Sequence, residues 1–516
     1  MPTPMTMPSY YPPVVHYHAP PPPTNPSAPK AEPAQPSLPM NIVVNSNASG
    51  GGGGGGGASA PAITMGGFTC PVCLSYATPL DGMVHHRYGN SLFPMWLTGL
   101  LSMLDAMCYD YEMHDFMTAQ ELPKIDPDDQ ALINELRKRI HKELELVPSY
   151  DDDYSLLRWL IGWDRHIEVV VPKLKMALNT IHAMRLDVED FSSLEKITAY
   201  LDAISKPSYY MPGSLIGFDK QGNVVSLQAV GRLDGPGLLQ STMISDLYVL
   251  RIAESEGVMQ IIRENEKKLG RQLGTVVIID LDGISLDNLE WTALKAVTNM
   301  LSHLQELFPD VLRKLFIIRA PSFVQLLWSA VSPCLAKQTK QKIEFLGNDW
   351  KERLKEVIDE SMLYEHWGGT KPAETPYGDV RMGGKVPKEL RYDSTKDECF
   401  KNKELKSLTV SARSSTFVPV LVKGEYNPDR KLRWWWRAES GDLDFGVRLS
   451  ASENGTQNSE EATDIICWPK FRLLTEFVPE SREVAIPNPG LYKLTFDNSH
   501  GKLWSKQVKY CIRVIE

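Results

Sequence analysis

The chain has 516 residues, 42% of them hydrophobic and 23% charged. That excludes a wholly disordered chain or a membrane bundle and calls for two or more domains. A net charge of −9 argues against a general nucleic-acid binder, and seven cysteines, an odd number, argue against a disulfide framework and fit a reducing compartment. The charge is local. From Asp105 to Asp153 fourteen acidic residues stand against five basic ones, a balance of −9, so the remainder sums to zero.

Residues 1–65 are predicted to be a disordered Pro/Gly-rich tail. Fourteen of the 37 prolines fall in residues 1–40, residues 50–57 are all glycine, and the segment has almost nothing to bury. Met1-Pro2-Thr3-Pro4 lacks the basic start and apolar core of a secretory signal, which predicts a cytoplasmic protein. Pro20 to Pro23 are read as solvated tail, with a short partner-docking polyproline helix as the alternative.

Residues 66–125 form a Cys-containing segment of uncertain structure. Cys70-Pro71-Val72-Cys73 has zinc-knuckle spacing, and His85 and His86 could complete four ligands. Adjacent histidines are poorly placed to hold one ion tetrahedrally, so two free thiols and no metal are expected. Leu92 to Cys108 is the most apolar stretch, but Pro94, Gly99 and Asp105 interrupt it. It reads as a buried or interfacial helix rather than a membrane span.

Residues 126–205 are predicted to be helical. Leu132, Ile133, Leu136 and Ile140 recur at three- and four-residue spacing. Asp151 to Asp153 precede the apolar Leu156-Leu157-Arg158-Trp159-Leu160 as acidic caps, and a third helix covers Val170 to Met184. In residues 206–370, strands at Val224–Leu227, Thr275–Ile279, Leu315–Ile318 and Ile343–Leu346 alternate with helices at Ser241–Leu269, Leu286–Phe308, Ser322–Val331 and Asp349–Asp359. That alternation predicts a mainly parallel sheet with helices against it. Residues 371–390 read as a linker. In residues 391–516 the period shifts to two, with strands at Leu408–Ala412, Phe417–Val422, Arg433–Arg437, Asp444–Leu449, Glu483–Ile486, Leu491–Phe496 and Gln507–Val514, which predicts an antiparallel β-sandwich.

Two motifs could carry function. Val277-Ile278-Ile279-Asp280-Leu281-Asp282-Gly283 ends a strand in Asp-x-Asp, the pattern of a haloacid-dehalogenase-like phosphatase nucleophile and its acid/base. Gly347-Asn348-Asp349 offers a later acidic loop, but Arg319-Ala320-Pro321 stands where a Ser or Thr is needed. The other reading is a strand-to-helix turn shaped by Asp280 and Gly283. The second motif is a helix capped by Ser322, in which Phe323, Leu326, Leu327, Ala330, Val331, Cys334 and Leu335 form an apolar stripe beside Trp328. It fits a core helix or a mobile lid over an apolar cavity.

Gly217 to Val224, Ile279 to Gly283, Phe308-Pro309-Asp310, Phe316 to Pro321, Thr339 to Ile343 and Gly368-Gly369 occur in order. Together they resemble the CRAL-TRIO lipid-binding domain of the phosphatidylinositol-transfer-like superfamily, and the segment around Arg158 is similar to its helical N-terminal extension. Leu432 to Trp436, Asp444 to Val447, Pro489 to Tyr492 and Leu494 to Ser499 resemble a GOLD domain. The resemblance implies a lipid pocket under the Ser322–Leu335 lid, with Phe323, Leu326, Leu327, Trp328, Val331 and Leu335 as pocket or lid residues. It implies that Asp310, Thr339, Lys342 and Thr275 meet the lipid headgroup. A headgroup-binding Arg of the family falls at Trp163, and a second hydroxyl position falls at Val277, so phosphatidylinositol is plausible and other hydrophobic lipids stay open. The implied protein is not an enzyme and needs no cofactor beyond bound lipid. It would carry or present a phospholipid or other hydrophobic lipid, touch membranes transiently, and bind protein partners through the GOLD domain and Pro-rich tail. The alternative is a scaffold with a sensory or vestigial pocket.

Overall fold

The computed structural model describes residues 125–284, 291–324, 341–401, 405–451 and 464–516. The Pro/Gly tail, the Cys70, Cys73, His85 and His86 set and the Leu92–Cys108 stretch lie outside them.

Helix α1 (Pro127–Arg139) begins where sequence chemistry places it. The Asp126 side chain accepts from the Asp128 amide at 2.8 Å, Pro127 occupies the first turn, and Arg137 to Arg139 close the last. After α2 (His141–Leu146), helix α3 (Asp153–Gly162) is capped by Asp152, which accepts from the Ser155 amide at 2.9 Å. Helix α4 (Ile167–Ala183) starts three residues before the predicted Val170 and contains Pro172 in its second turn. A further helix, α5 (Leu194–Asp202), capped by Ser193, lies within the region predicted to be helical but was not placed individually.

The next unit is a five-stranded sheet in the order β1-β2-β3-β4-β5. The strands are β1 (Ser214–Phe218), β2 (Val224–Gln228), β3 (Thr275–Asp280), β4 (Leu312–Ile318) and β5 (Ile343–Phe345). The first pair is antiparallel and the remaining pairs are parallel, so the sheet is mainly parallel as predicted. The unpredicted strand is β1, joined to β2 by a turn in which Asp219 accepts from the Gln221 and Asn223 amides. Helices α6 (Gly235–Leu239), α7 (Ile244–Leu269), α8 (Trp291–Leu307) and α9 (Trp350–Val357) complete it, and α7 ends at Gly270 in the left-handed conformation a glycine favours.

Alternation along the strands gives the sheet two apolar faces. Val225, Leu227, Val276, Ile278, Phe316 and Ile318 pack against Leu354, Leu363 and Trp367. Val277, Ile279, Leu315, Ile317 and Ile343 form the other face, with Val324 buried and Phe323 partly buried against it. Because both faces are apolar, the strands read as continuous apolar runs.

Residues 371–390, read as a linker, are tied to this unit. The Gly213 amide donates to the Arg381 carbonyl at 3.0 Å, the buried Arg381 guanidinium donates to the Gly213 carbonyl at 2.8 Å, and the Val386 amide donates to Asp234 at 3.0 Å.

The C-terminal unit consists of two four-stranded antiparallel sheets. One has the order β10-β9-β12-β7 and the other β11-β8-β13-β6. The strands are β6 (Lys406–Val410), β7 (Ser415–Val422), β8 (Lys431–Ala438), β9 (Asp442–Leu449), β10 (Ile465–Leu474), β11 (Glu480–Ala485), β12 (Gly490–Asp497) and β13 (Lys506–Ile515). The sheets meet through aromatic side chains, with Trp434 and Phe445 at 5.5 Å and Trp436 and Phe496 at 5.3 Å between ring centroids. Strand β10 has no predicted counterpart. Pro469 interrupts its sequence, and the strand accommodates it at the sheet edge, where pairing with β9 is irregular between Trp468 and Phe471.

Candidate functional site

Three of the four predicted headgroup residues converge on one loop, the connection between α8 and β4. Pro309 and Asp310 belong to this loop, which packs closely on α3 because that helix ends in Gly162, where a Cβ would sit 2.5 Å from the Pro309 Cβ, so only glycine allows the approach. Asp310 adopts φ +48° and buries its carboxylate. The Lys342 ammonium lies 3.4 Å from Asp310 Oδ1, and Arg313 Nη1 lies 3.2 Å from Oδ2. Thr275 opens β3 next to this loop. Its amide donates to the Val311 carbonyl at 2.8 Å, and its hydroxyl points at the same oxygen at 3.5 Å. Thr339 lies outside the described residues.

Arg313 was missed in the sequence. Its signal is the three-residue spacing from Asp310, which lets one side chain neutralise the other. Arg313 also donates to the Leu273 carbonyl at 3.0 Å, an oxygen that Arg158 reaches at 3.2 Å. Arg158 belongs to the Leu-Leu-Arg segment of α3 and pairs with Glu266 of α7, their side chains 2% and 1% exposed. Desolvation pulls the Arg158 guanidinium below its usual range, and Glu266 opposes that pull. Glu266 also accepts from the Leu273 amide at 2.7 Å. Trp163, where the resemblance places an Arg, packs at the core margin with the Lys173 ammonium 4.2 Å from its ring centroid.

From this polar end the sheet face of Val277, Ile279, Leu315, Ile317 and Ile343 runs as an apolar floor toward Phe323 and Val324. Residues 322–324 are helical, as predicted for the start of the lid. Leu326, Leu327, Trp328, Val331 and Leu335 lie outside the described residues. The arrangement is an apolar surface with a charged, partly satisfied grip at one end. It is suited to a ligand with a hydrocarbon body and a polar head.

The Asp-x-Asp motif sits at the far end of β3. Asp280 is 1% exposed, and both of its oxygens are engaged. Oδ1 accepts from Arg319 Nε at 2.9 Å and from the Asp282 amide at 3.1 Å. Oδ2 accepts from Trp367 Nε1 at 3.0 Å and from Arg319 Nη2. Arg319 also reaches Asp282 at 3.2 Å and lies 2.8 Å from His366 Nε2. Burial, and then the Arg319 charge, lower the His366 pKa.

Residues 209–369 match the CRAL/TRIO domain. This chain carries a CRAL/TRIO domain. Protein real-time of Drosophila melanogaster is 28% identical over 314 residues, covering 59% of this chain and 44% of that protein. The CRAL-TRIO domain-containing protein F28H7.8 of Caenorhabditis elegans is 26% identical over 344 residues, covering 65% of this chain and 79% of the relative. Protein ctg-1 of Caenorhabditis elegans is 24% identical over 400 residues, with 75% and 96% covered. The chain spans less than half the length of Protein real-time. The crystal structure of Sfh5 aligns with 17% identity and a TM-score of 0.35, over 50% of this chain and 93% of that one. The matched CRAL/TRIO segment contains the whole five-stranded sheet, Asp310 and Lys342. Arg158 lies before it and the two antiparallel sheets lie beyond it.

Among the described residues, no helix is long and apolar enough to cross a membrane.

Proposed function

We propose that the CRAL/TRIO domain binds a hydrophobic lipid with a polar head and exchanges or presents it at membranes. The observation that carries this reading is the apolar sheet face ending at Asp310, Arg313 and Lys342. Moving a lipid tail into water costs about 0.8 kcal/mol per methylene, whereas transfer from a bilayer to an apolar pocket costs little of that. A carrier therefore needs a matching cavity and a grip rather than chemistry. Lys342 and Arg313 can donate charge-assisted hydrogen bonds to a phosphate, with Thr339 as a further donor in this reading. Phosphatidylinositol and other phospholipids both fit that chemistry. The residues Leu326, Leu327, Trp328, Val331 and Leu335 would form the lid that opens at the bilayer, which makes membrane contact brief and peripheral.

The protein is not an enzyme in this reading. Support comes from Asp280, whose carboxylate is held by Arg319 and Trp367 and is not presented to a substrate. Residues 391–516 act as a GOLD domain that recruits protein partners, a reading supported by the two antiparallel sheets and their aromatic core. Native mass spectrometry of the purified chain tests the proposal. One co-bound lipid is expected, and an apoprotein that takes up none from liposomes would overturn it.

The scaffold reading keeps one observation in its favour. The C-terminal sheets and the helices share a continuous hydrophobic core, which supports a scaffold in which a sensory or vestigial lipid pocket acts through the β unit. Leu327→Asp separates the two: loss of exchange with partner binding intact supports carriage.

A further inference from the structure

The loop between β12 and β13 holds two large apolar side chains in water. Leu503 and Trp504 are each 77% exposed. The loop beneath them is tightly built. The buried Asn498 side-chain Nδ2 donates to the carbonyls of Val410 at 3.3 Å, Ser411 at 3.2 Å and Trp504 at 3.0 Å. The Arg413 amide donates to the Asn498 and Gly501 carbonyls at 3.1 and 3.0 Å, and Lys506 Nζ donates to the Ser440 carbonyl at 3.1 Å. A Cβ on Gly501 would stand 2.2 Å from Asn498 Oδ1, so glycine is required where the chain turns back. The backbone is pinned while its apolar side chains face outward. Folding leaves both side chains in water although their burial would be favourable.

The composition of the tip bears on what would cover it. Leu503 and Trp504 stand between Lys502 and Lys506, and Arg413 lies on the adjoining turn. Neither Lys502 nor Arg413 has a carboxylate partner among the described residues. The acids of the neighbouring cleft are already satisfied: Asp442 by Arg472 and Lys295, Asp444 by His500, and Asp497 by Lys470. Glu439, whose amide donates to the Gln507 carbonyl, and Glu476, which accepts from the Gly441 amide, lie near Lys506 and offset part of the positive charge, so only a modest attraction to anionic lipid is expected. Tryptophan next to leucine, beside Lys502 whose ammonium can snorkel, suits the bilayer interface. The tip offers on the order of 300 Å² of apolar surface, well short of the ~800 Å² per partner of a standard protein interface.

We propose that the Lys502–Lys506 loop is a membrane anchor that inserts Leu503 and Trp504 into the interface of a bilayer. The site lies outside the matched lipid-binding segment and does not depend on lipid carriage. Co-sedimentation of the full chain with phosphatidylcholine vesicles, with and without phosphatidylserine, tests it. The wild type should bind both, and more tightly with phosphatidylserine. Leu503→Ser with Trp504→Ser should weaken binding about tenfold or more while leaving the circular dichroism spectrum unchanged. Lys502→Ala should reduce only the phosphatidylserine increment. Equal binding by the double variant overturns the proposal, as does a wild type that binds neither vesicle. So does a wild type that forms oligomers which the double variant dissolves, since a second copy would then be the occupant. Vesicle binding is read without lipid exchange, so a chain that carries no lipid still gives a clear answer.

Discussion

Lys342 places its ammonium 3.4 Å from Asp310 Oδ1 across 32 residues of sequence. The pair forms because β5 lies parallel to β4, with Ile343 opposite Leu315, so the segments leading into the two strands share one end of the sheet. Asp310 thereby holds Lys342 and Arg313 at the polar end of an apolar floor.

Removing one of these cations should change which lipid is held rather than whether the chain folds. Lys342→Ala is expected to lower retention of an anionic phospholipid about tenfold, the scale of one charge-assisted hydrogen bond, and to leave uptake of a neutral hydrophobic lipid unchanged. Lipid extracts quantified by mass spectrometry after liposome incubation would show it. Unchanged anionic lipid in the variant would remove Lys342 from the headgroup site.

Asp280→Asn should act on stability. It would leave Arg319, only 21% exposed, with the more exposed Asp282 as its carboxylate partner. The expected loss is roughly 2–4 kcal/mol, somewhat below the cost of breaking a fully buried pair. Urea unfolding measures it, and a parallel assay for magnesium-dependent phosphate release should find none in the wild type or the variant. Phosphate release by the wild type that the variant lacks would restore the phosphatase reading.

The Arg158–Glu266 pair is buried on both sides, so its single variants should be worse than a matched double change. Glu266→Gln alone is expected to cost about 3–5 kcal/mol, whereas Arg158→Met with Glu266→Leu should recover most of that loss. A double-mutant cycle by denaturant unfolding provides the comparison. Equal losses for the single and double variants would show that the Leu273 hydrogen bonds, rather than the charges, set the cost.

The helical and β units meet at Tyr248 and Phe471, stacked with centroids 4.7 Å apart, with the His303 ring edge-on to both. Burial pushes the His303 pKa down to about 4 from 6.5, so the folded state keeps the ring neutral. Its contribution is complete above 6.5 and is lost as pH falls toward 4. Burial also pushes Glu480, on the adjoining β11, up to about 7 from 4.5. The folded state favours its protonated form, so that contribution is complete below 4.5 and is lost as pH rises through about 7. Thermal melts across this range should show His303→Gln flattening the acid limb and Glu480→Gln flattening the limb toward neutrality. Unaltered pH profiles in both variants would separate this interface from the pH response.

The sequence by itself determined the local elements whose signals are local. The Asp152 cap, the apolar run of β3 and the alternation of Phe417 to Val422 each reflect a periodicity or a capping group within a few residues. It also carried the ordered motifs of the CRAL/TRIO domain. Strand β10 was missed: Pro469 interrupts its apolar run, and the edge position and irregular pairing with β9 that accommodate it are properties of the assembled sheet. The partners of Asp280 show the same limit. Asp-x-Asp at a strand end is equally consistent with a nucleophile and with a structural carboxylate, and only the fold brings Arg319 and Trp367 onto it. Asp310, Arg313 and Lys342 became one cluster because parallel strands align segments far apart in sequence. The joining of the two units through Tyr248 and Phe471 was likewise decided by tertiary packing, since neither aromatic carries any local sign of the other.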